Sequence, residues 1–268
     1  MRGLQLGAAM GARVTSTPTD ADWSWADRVV LVKRAGETFA ARAHAGHAPI
    51  IWDAVDCWRQ PMENRLTETD AILRLQHMLK VIRPDMTIGA TQVMAADAGG
   101  VYLPHHGRIG LVPTPAREQV RVVGYDGNAI YLGRWEPALR TACAARGWSF
   151  VVNPPHLYDV DILVAFRDGQ WDGWMPRQWK SGVKYVNAVL AGRTILTQDS
   201  AGFREIQPAG TVVERLDQIA DAFDAWTPVS RRQAVVEQSI ARCHTFTVDA
   251  IAARYLRLLD AMSLEAAC

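Results

Sequence analysis

The residues best placed by type and spacing to do chemistry fall in one stretch, Lys180-Ser181-Gly182-Val183-Lys184, with Asn187 one helical turn further on. Lys180, Lys184 and Asn187 recur at helical period, and Val183, Val186 and Leu190 recur on another face as an apolar stripe. Ser181 suits an N-cap, its hydroxyl oxygen accepting from a first-turn N–H. Gly192 suits a left-handed C-cap, and 194–197 then reads as a buried strand. A helix N-terminus carrying a Ser and flanking lysines is suited to an anion, because its amides and aligned peptide dipoles point the same way. The plain alternative is a solvated lysine face on an ordinary amphipathic helix.

Strands and helices must position this stretch. The chain has 268 residues, 49% hydrophobic and 21% charged, as in a soluble globular protein of one large or two small domains. A helix is expected over 2–10 and a short strand at Val14-Thr15, then a connector over 21–26. Strands at 29–32 and 49–52, the latter ending at Asp53, flank a helix over 37–45. A helix over 66–82 leads to strands at 86–90 and 101–103, and His105 and His106 follow directly. Pro113 and Pro115 mark a linker. A second alternating run follows, with strands at 120–123, 149–152 and 162–166 and a helix over 129–146 interrupted or restarted at Pro137. After the Lys180 stretch come 202–206, a strand near 211–213, and helices over 215–225, 230–242 and 248–262. Alternation in both halves makes this an α/β protein of mostly parallel sheets, in two Rossmann-like units. Neither half has a G-x-G-x-x-G loop opening a helix or a G-x-x-x-x-G-K-[ST] loop, which disfavours nicotinamide-dependent dehydrogenases and P-loop phosphotransferases. A net charge of +1 gives no whole-protein field toward nucleic acid or membrane. No apolar run is long enough to span a bilayer, and residues 1–12 are too short and Gly-rich for a signal peptide. Cys57, Cys143, Cys243 and Cys268 show no zinc spacing and read as reduced thiols of a cytoplasmic protein.

Lys180-Ser181-x-Val183-Lys184-Tyr185-Val186-Asn187-Ala188 with Ala191-Gly192-Arg193-Thr194-Ile195-Leu196 resembles the donor-binding segment of GT-B glycosyltransferases. Val122-Val123-Gly124-Tyr125-Asp126-Gly127 resembles the strand and Gly loop that open that family's second domain. Asp159-Val160-Asp161-Ile162, Gly202-Phe203-Arg204-Glu205-Ile206 and the helix around Tyr255-Leu256 fit as well. The match covers roughly the second half of the chain. Two positions depart: Asn187 and Trp179 stand where relatives often carry acids. The usual first strand reads as shortened or missing, and the Gly-rich loop that often follows it as absent or reduced to Arg2-Gly3.

The resemblance implies two Rossmann-like domains facing across a cleft, at 1–116 and 117–245, with a C-terminal helix over 246–268 crossing back to the first. It implies transfer of a sugar from a nucleoside diphosphate sugar, a UDP-sugar such as UDP-glucose being expected, to an acceptor hydroxyl, with no metal. Lys180, Ser181, the Gly182 amide and Lys184 are then the expected diphosphate site. Arg167 would contact base or diphosphate, with an Arg167-Asp168-Gly169 turn as the plain alternative. Glu205 would accept from donor hydroxyls, and Gly124 and Gly127 would let the backbone approach the donor. His105 or His106 would face the transferred sugar. Asp53 is the candidate base of an inverting reaction, which needs burial or a like-charge neighbour such as Asp56 to raise its pKa. The acceptor stays open among polysaccharide, protein and hydroxymethylated DNA. Arg2, Arg13, Arg28, Arg34 and Arg42 favour a phosphate backbone, and Asp20, Asp22 and Asp27 among them count against it. The competing expectations are a nucleotide-sugar epimerase or hydrolase of the same fold and a degenerate GT-B module that only binds.

Overall fold

The structure, a computed structural model, describes residues 2–33, 36–55, 66–206 and 210–266. Arg34, Asp56, Cys57 and Cys268, singled out above, lie outside these residues. The chain divides into two compact units. Met1–His106, Gly173–Ser181 and Val248–Cys268 form the first, and Gly107–Asp172 and Gly182–Thr247 the second.

The first unit opens on α1 (Arg2–Ala9) and α2 (Asp20–Trp25). Helix α2 replaces the expected connector, because Thr19 and Asp22 close a reciprocal capping box that satisfies two first-turn donors. Val14 joins no strand; it packs on Gly7, where an added Cβ would lie 2.2 Å from its Cγ2. Then follow β1 (Val29–Val32), α3 (Glu37–Ala45), β2 (Ile50–Asp53), α4 (Glu68–Ile82), β3 (Met86–Gly89), α5 (Gln92–Asp97) and β4 (Val101–Tyr102). The strands are parallel in the order β1-β2-β3-β4. Strand side chains alternate between faces. Ile50 and Trp52 enter a core with Ala43, Ala71 and Leu75 of the crossover helices. Ile51 enters a separate core with Leu6 of α1, and Asp53 shares its parity.

The second unit begins with β5 (Val122–Tyr125), a 3-10 turn at Ala129–Tyr131, α6 (Trp135–Ala144), β6 (Ser149–Val152) and β7 (Ile162–Ala165). The helix expected over 129–146 breaks at Gly133, whose φ of 49° is left-handed, and Pro137 sits in the first turn of α6, where no intrahelical N–H is needed. The chain returns to the first unit for α7 (Trp174–Gln178) and re-enters the second for α8 (Val183–Ala191), β8 (Thr194–Thr197), α9 (Ala201–Arg204), β9 (Gly210–Val212), α10 (Ile219–Trp226) and α11 (Val229–Arg242). Its sheet is parallel in the order β6-β5-β7-β8-β9. The Pro113–Pro115 stretch belongs to this unit. Buried Arg193 holds the Thr114 carbonyl at 2.9 Å and its hydroxyl at 2.6 Å, and Arg232 holds the carbonyls of Arg117 and Glu118.

Helix α12 (Val248–Ala266) closes the chain in the first unit, where Ile251, Ala252 and Tyr255 complete the core of Leu6 and Ile51. Among the described residues no helix is long and apolar enough to cross a membrane.

Candidate functional site

In the second unit the strand order reverses at β5, whose neighbours are β6 on one side and β7 on the other. Crossovers leave such a pair in opposite directions, so the backbone opens a crevice at the carboxyl ends of β5 and β7, where open α/β sheets bind ligands. The chain places Tyr125-Asp126-Gly127 at the end of β5 and Phe166-Arg167-Asp168 at the end of β7. Helix α8 is the crossover from β7 to β8, so its N-terminus opens at that same end.

Lys184, in the first turn of α8, puts its Nζ 3.7 Å from the centroid of the Tyr125 ring. The ring quadrupole holds the ammonium there. Tyr125 is fully buried, and burial pushes its hydroxyl pKa upward against the pull of the Arg167 guanidinium. Gly127 leaves room for the lysine: a Cβ there would lie 2.8 Å from Lys184 Nζ and 3.1 Å from the Tyr125 hydroxyl. The Gly127 N–H donates to Asn153 Oδ1 at 2.7 Å, which pins the loop. Lys184 thus lies along Tyr125 and lines a small crevice with Asp126 and Asn187, in place of a solvated lysine face. The helix is buried from Tyr185 to Ala191.

Other expected residues take different parts. Ser181 does not cap α8. Gly182 occupies the N-cap position without a side-chain bond, and a Cβ on it would stand 2.0 Å from the Gly202 carbonyl oxygen. Close approach of α9 therefore fixes glycine there and starts the helix one residue late. Lys180 and Ser181 end the first unit's excursion and Gly182 begins the second unit's. Gly124 lies inside β5, where a Cβ would meet Val160 Cγ2 at 2.6 Å, so its small size serves packing. Arg167 donates its N–H to Gln198 Oε1 at 2.6 Å and accepts Trp135 Nε1 at 3.0 Å on its carbonyl. Asp168 pairs with Arg134 at 2.7 Å, and this bond holds its carboxyl down at about 2. Glu205 is the half-buried C-cap residue of α9.

In the first unit, Asp53 is 1% exposed and accepts from Arg2 Nε at 2.8 Å. Burial pushes its carboxyl up, and Arg2, the Val55 N–H and His106 pull it back. The Tyr255 hydroxyl is buried beside it. Val55 has φ 49°, strained for a β-branched residue. A sealed, ion-paired carboxylate ties α1 to β2; a general base must instead reach the acceptor hydroxyl. His105 and His106 are both buried, with His105 Nδ1 donating to the His106 carbonyl at 2.5 Å, and His106 is the one whose charge reaches Asp53. Trp179 is a core side chain whose Nε1 donates to Asp97 Oδ2 at 2.6 Å. The expected basic early stretch is largely paired: Arg2 with Asp53, Arg13 with Asp22 and Arg42 with Asp20.

Sequence reasoning assigned no role to Tyr125, Asp126 and Asn153. A signal existed for the first two, which lie between a strand and the glycine already singled out. None existed for Asn153, which is brought in by the fold.

No protein-family model matches the sequence, and no curated protein sequence matches it. Solved structures do. HepE of Anabaena in complex with UDP and glucose is 13% identical, with a TM-score of 0.64 over 86% of this chain and 77% of that one. A UDP-forming α,α-trehalose-phosphate synthase from Burkholderia vietnamiensis is 11% identical, with a TM-score of 0.61 over 99% of this chain and 82% of that one. A TarM variant of S. aureus in complex with UDP is 10% identical, with a TM-score of 0.61 over 89% of this chain and 58% of that one. With two parallel α/β units and these structural neighbours, the chain has the GT-B glycosyltransferase fold.

Proposed function

We propose that the protein is a glycosyltransferase that uses a nucleoside diphosphate sugar, with the donor diphosphate at the carboxyl end of β5 and β7. The observation that carries this reading is Lys184, set on the Tyr125 ring beside Gly127 at the strand-order reversal. In the transfer the anomeric C–O bond breaks, the diphosphate leaves with the electron pair, and the acceptor oxygen forms the new bond and passes its proton to the departing diphosphate. Lys184 and the first-turn amides of α8 stand where negative charge grows on the leaving group, the charge placement that lowers such a barrier most. This neutralisation uses side chains and peptide dipoles, so the reading includes transfer without a metal. UDP is the favoured nucleotide, since HepE, TarM and the trehalose-phosphate synthase are named with UDP. Glu205 is assigned to donor hydroxyls; His106, sealed like Asp53, is assigned with it to the core of the first unit, where Asp53 holds α1 on β2 through Arg2. Pairing of the early arginines leaves a DNA acceptor without its electrostatic argument, and a polysaccharide or protein hydroxyl is preferred.

A non-catalytic binding module is the second reading. Asn187 and Trp179, which replace expected acids, are both engaged in structural bonds. Incubation with radiolabelled UDP-sugars and polysaccharide, protein or DNA acceptors separates the readings. Label incorporated with UDP released, in EDTA as in buffer, supports transfer. UDP release without an acceptor points to a hydrolase, and binding with neither product points to the module.

A further inference from the structure

Arg108 has no part in the donor site described so far. Its backbone N–H donates to Asn187 Oδ1 at 2.8 Å. Its Nη2 donates to both Asp126 carboxylate oxygens, at 2.9 and 3.1 Å. Gly107 before it is pressed against α8, where a Cβ would meet Leu190 Cδ1 at 2.1 Å, and its N–H donates to the Phe246 carbonyl. The backbone is thus fixed on α8, while the Arg108 side chain, 37% exposed, reaches the loop after β5. Asp126, which the guanidinium holds, lines one small void with Lys184, Asn187 and four apolar side chains.

The geometry points to Arg108 as a donor-binding residue, a guanidinium for the diphosphate for which the Asp126 carboxylate competes. A planar guanidinium fork fits a carboxylate and a phosphate alike. Its bond to Asp126 is partly in water and therefore weak, so it is exchangeable. Asn187 gains a purpose here: its amide oxygen accepts the N–H that aims Arg108, and a carboxylate there would also pull on the guanidinium. The inference rests on the donor-site reading above.

Calorimetric titration of the full chain with UDP and with uridine tests it. Arg108→Ala is expected to weaken UDP tenfold or more and leave uridine unchanged. Asp126→Asn is expected to tighten UDP several-fold, because it removes the competitor. Opposite signs from the two halves of one ion pair cannot come from misfolding. Equal UDP affinity in wild type and Arg108→Ala overturns this inference alone, as does a parallel loss in both variants with a parallel fall in Tm, which marks a structural staple. Absence of nucleoside diphosphate binding by the wild type sinks the donor-site reading and this one with it.

Discussion

At the scale of single residues, the first unit turns on a buried charge pair. Arg2 and Asp53 are both nearly sealed, at 3% and 1% exposure. Removing one partner of such a pair leaves an uncompensated charge in a poorly polarisable interior. Arg2→Met is therefore expected to cost about 3–5 kcal/mol in chemical denaturation, and Asp53→Asn added to it should recover part of that loss. A cost below about 1 kcal/mol would mean that the pair is not the tie between α1 and β2. Asp168 offers a pH test. Arg134 depresses its folded pKa to about 2, so the stabilisation is fully present above the unfolded carboxylate value near 3.9 and fades as pH falls through about 2. The Tm difference between wild type and Asp168→Asn should thus be constant from pH 7 to 5 and vanish toward pH 2. A difference unchanged at pH 2 would assign the effect to packing.

At the scale of elements, α8 depends on a contact that only glycine permits. Gly182→Ala sets a Cβ against the Gly202 carbonyl oxygen at 2.0 Å, a backbone atom that cannot swing aside, so α8 and α9 must part. Overpacking of this kind costs about 1–3 kcal/mol, and a melt showing no loss would contradict the close approach. Much of this helix was legible in sequence: its period, its Gly192 stop at φ 66° and the strand after it. Its starting residue was not. Ser181 is the better local cap, but the packing that overrides it comes from α9, about twenty residues further along the chain. The same limit applied to Gly124, whose partner Val160 is remote in sequence. Helix α2 was missed for a local reason, the Thr19-x-x-Asp22 capping box read as a connector.

At the scale of the whole chain, two units carry different parts of the proposed chemistry. The second unit's sheet reverses direction at β5 and so has a ligand end. The first unit's sheet runs β1-β2-β3-β4 without reversal and gathers a buried Asp53–His106 group at the ends of its strands. The alternation of strands and helices was readable because both periods recur throughout the chain. Strand order was not readable, since it depends on which edge each crossover joins. The candidate site was legible at Lys184 and Gly127, whose residue types state their chemistry. It was illegible at Tyr125, whose ring reads as core until Lys184 lies on it. Lys184 is therefore the residue on which donor binding depends, and titration of UDP into wild type and Lys184→Ala tests that most directly. A charged hydrogen bond of about 1.5–3 kcal/mol corresponds to a loss of about tenfold or more in UDP affinity, with the melting temperature of the unliganded protein little changed. UDP binding of equal strength in the two proteins would contradict it.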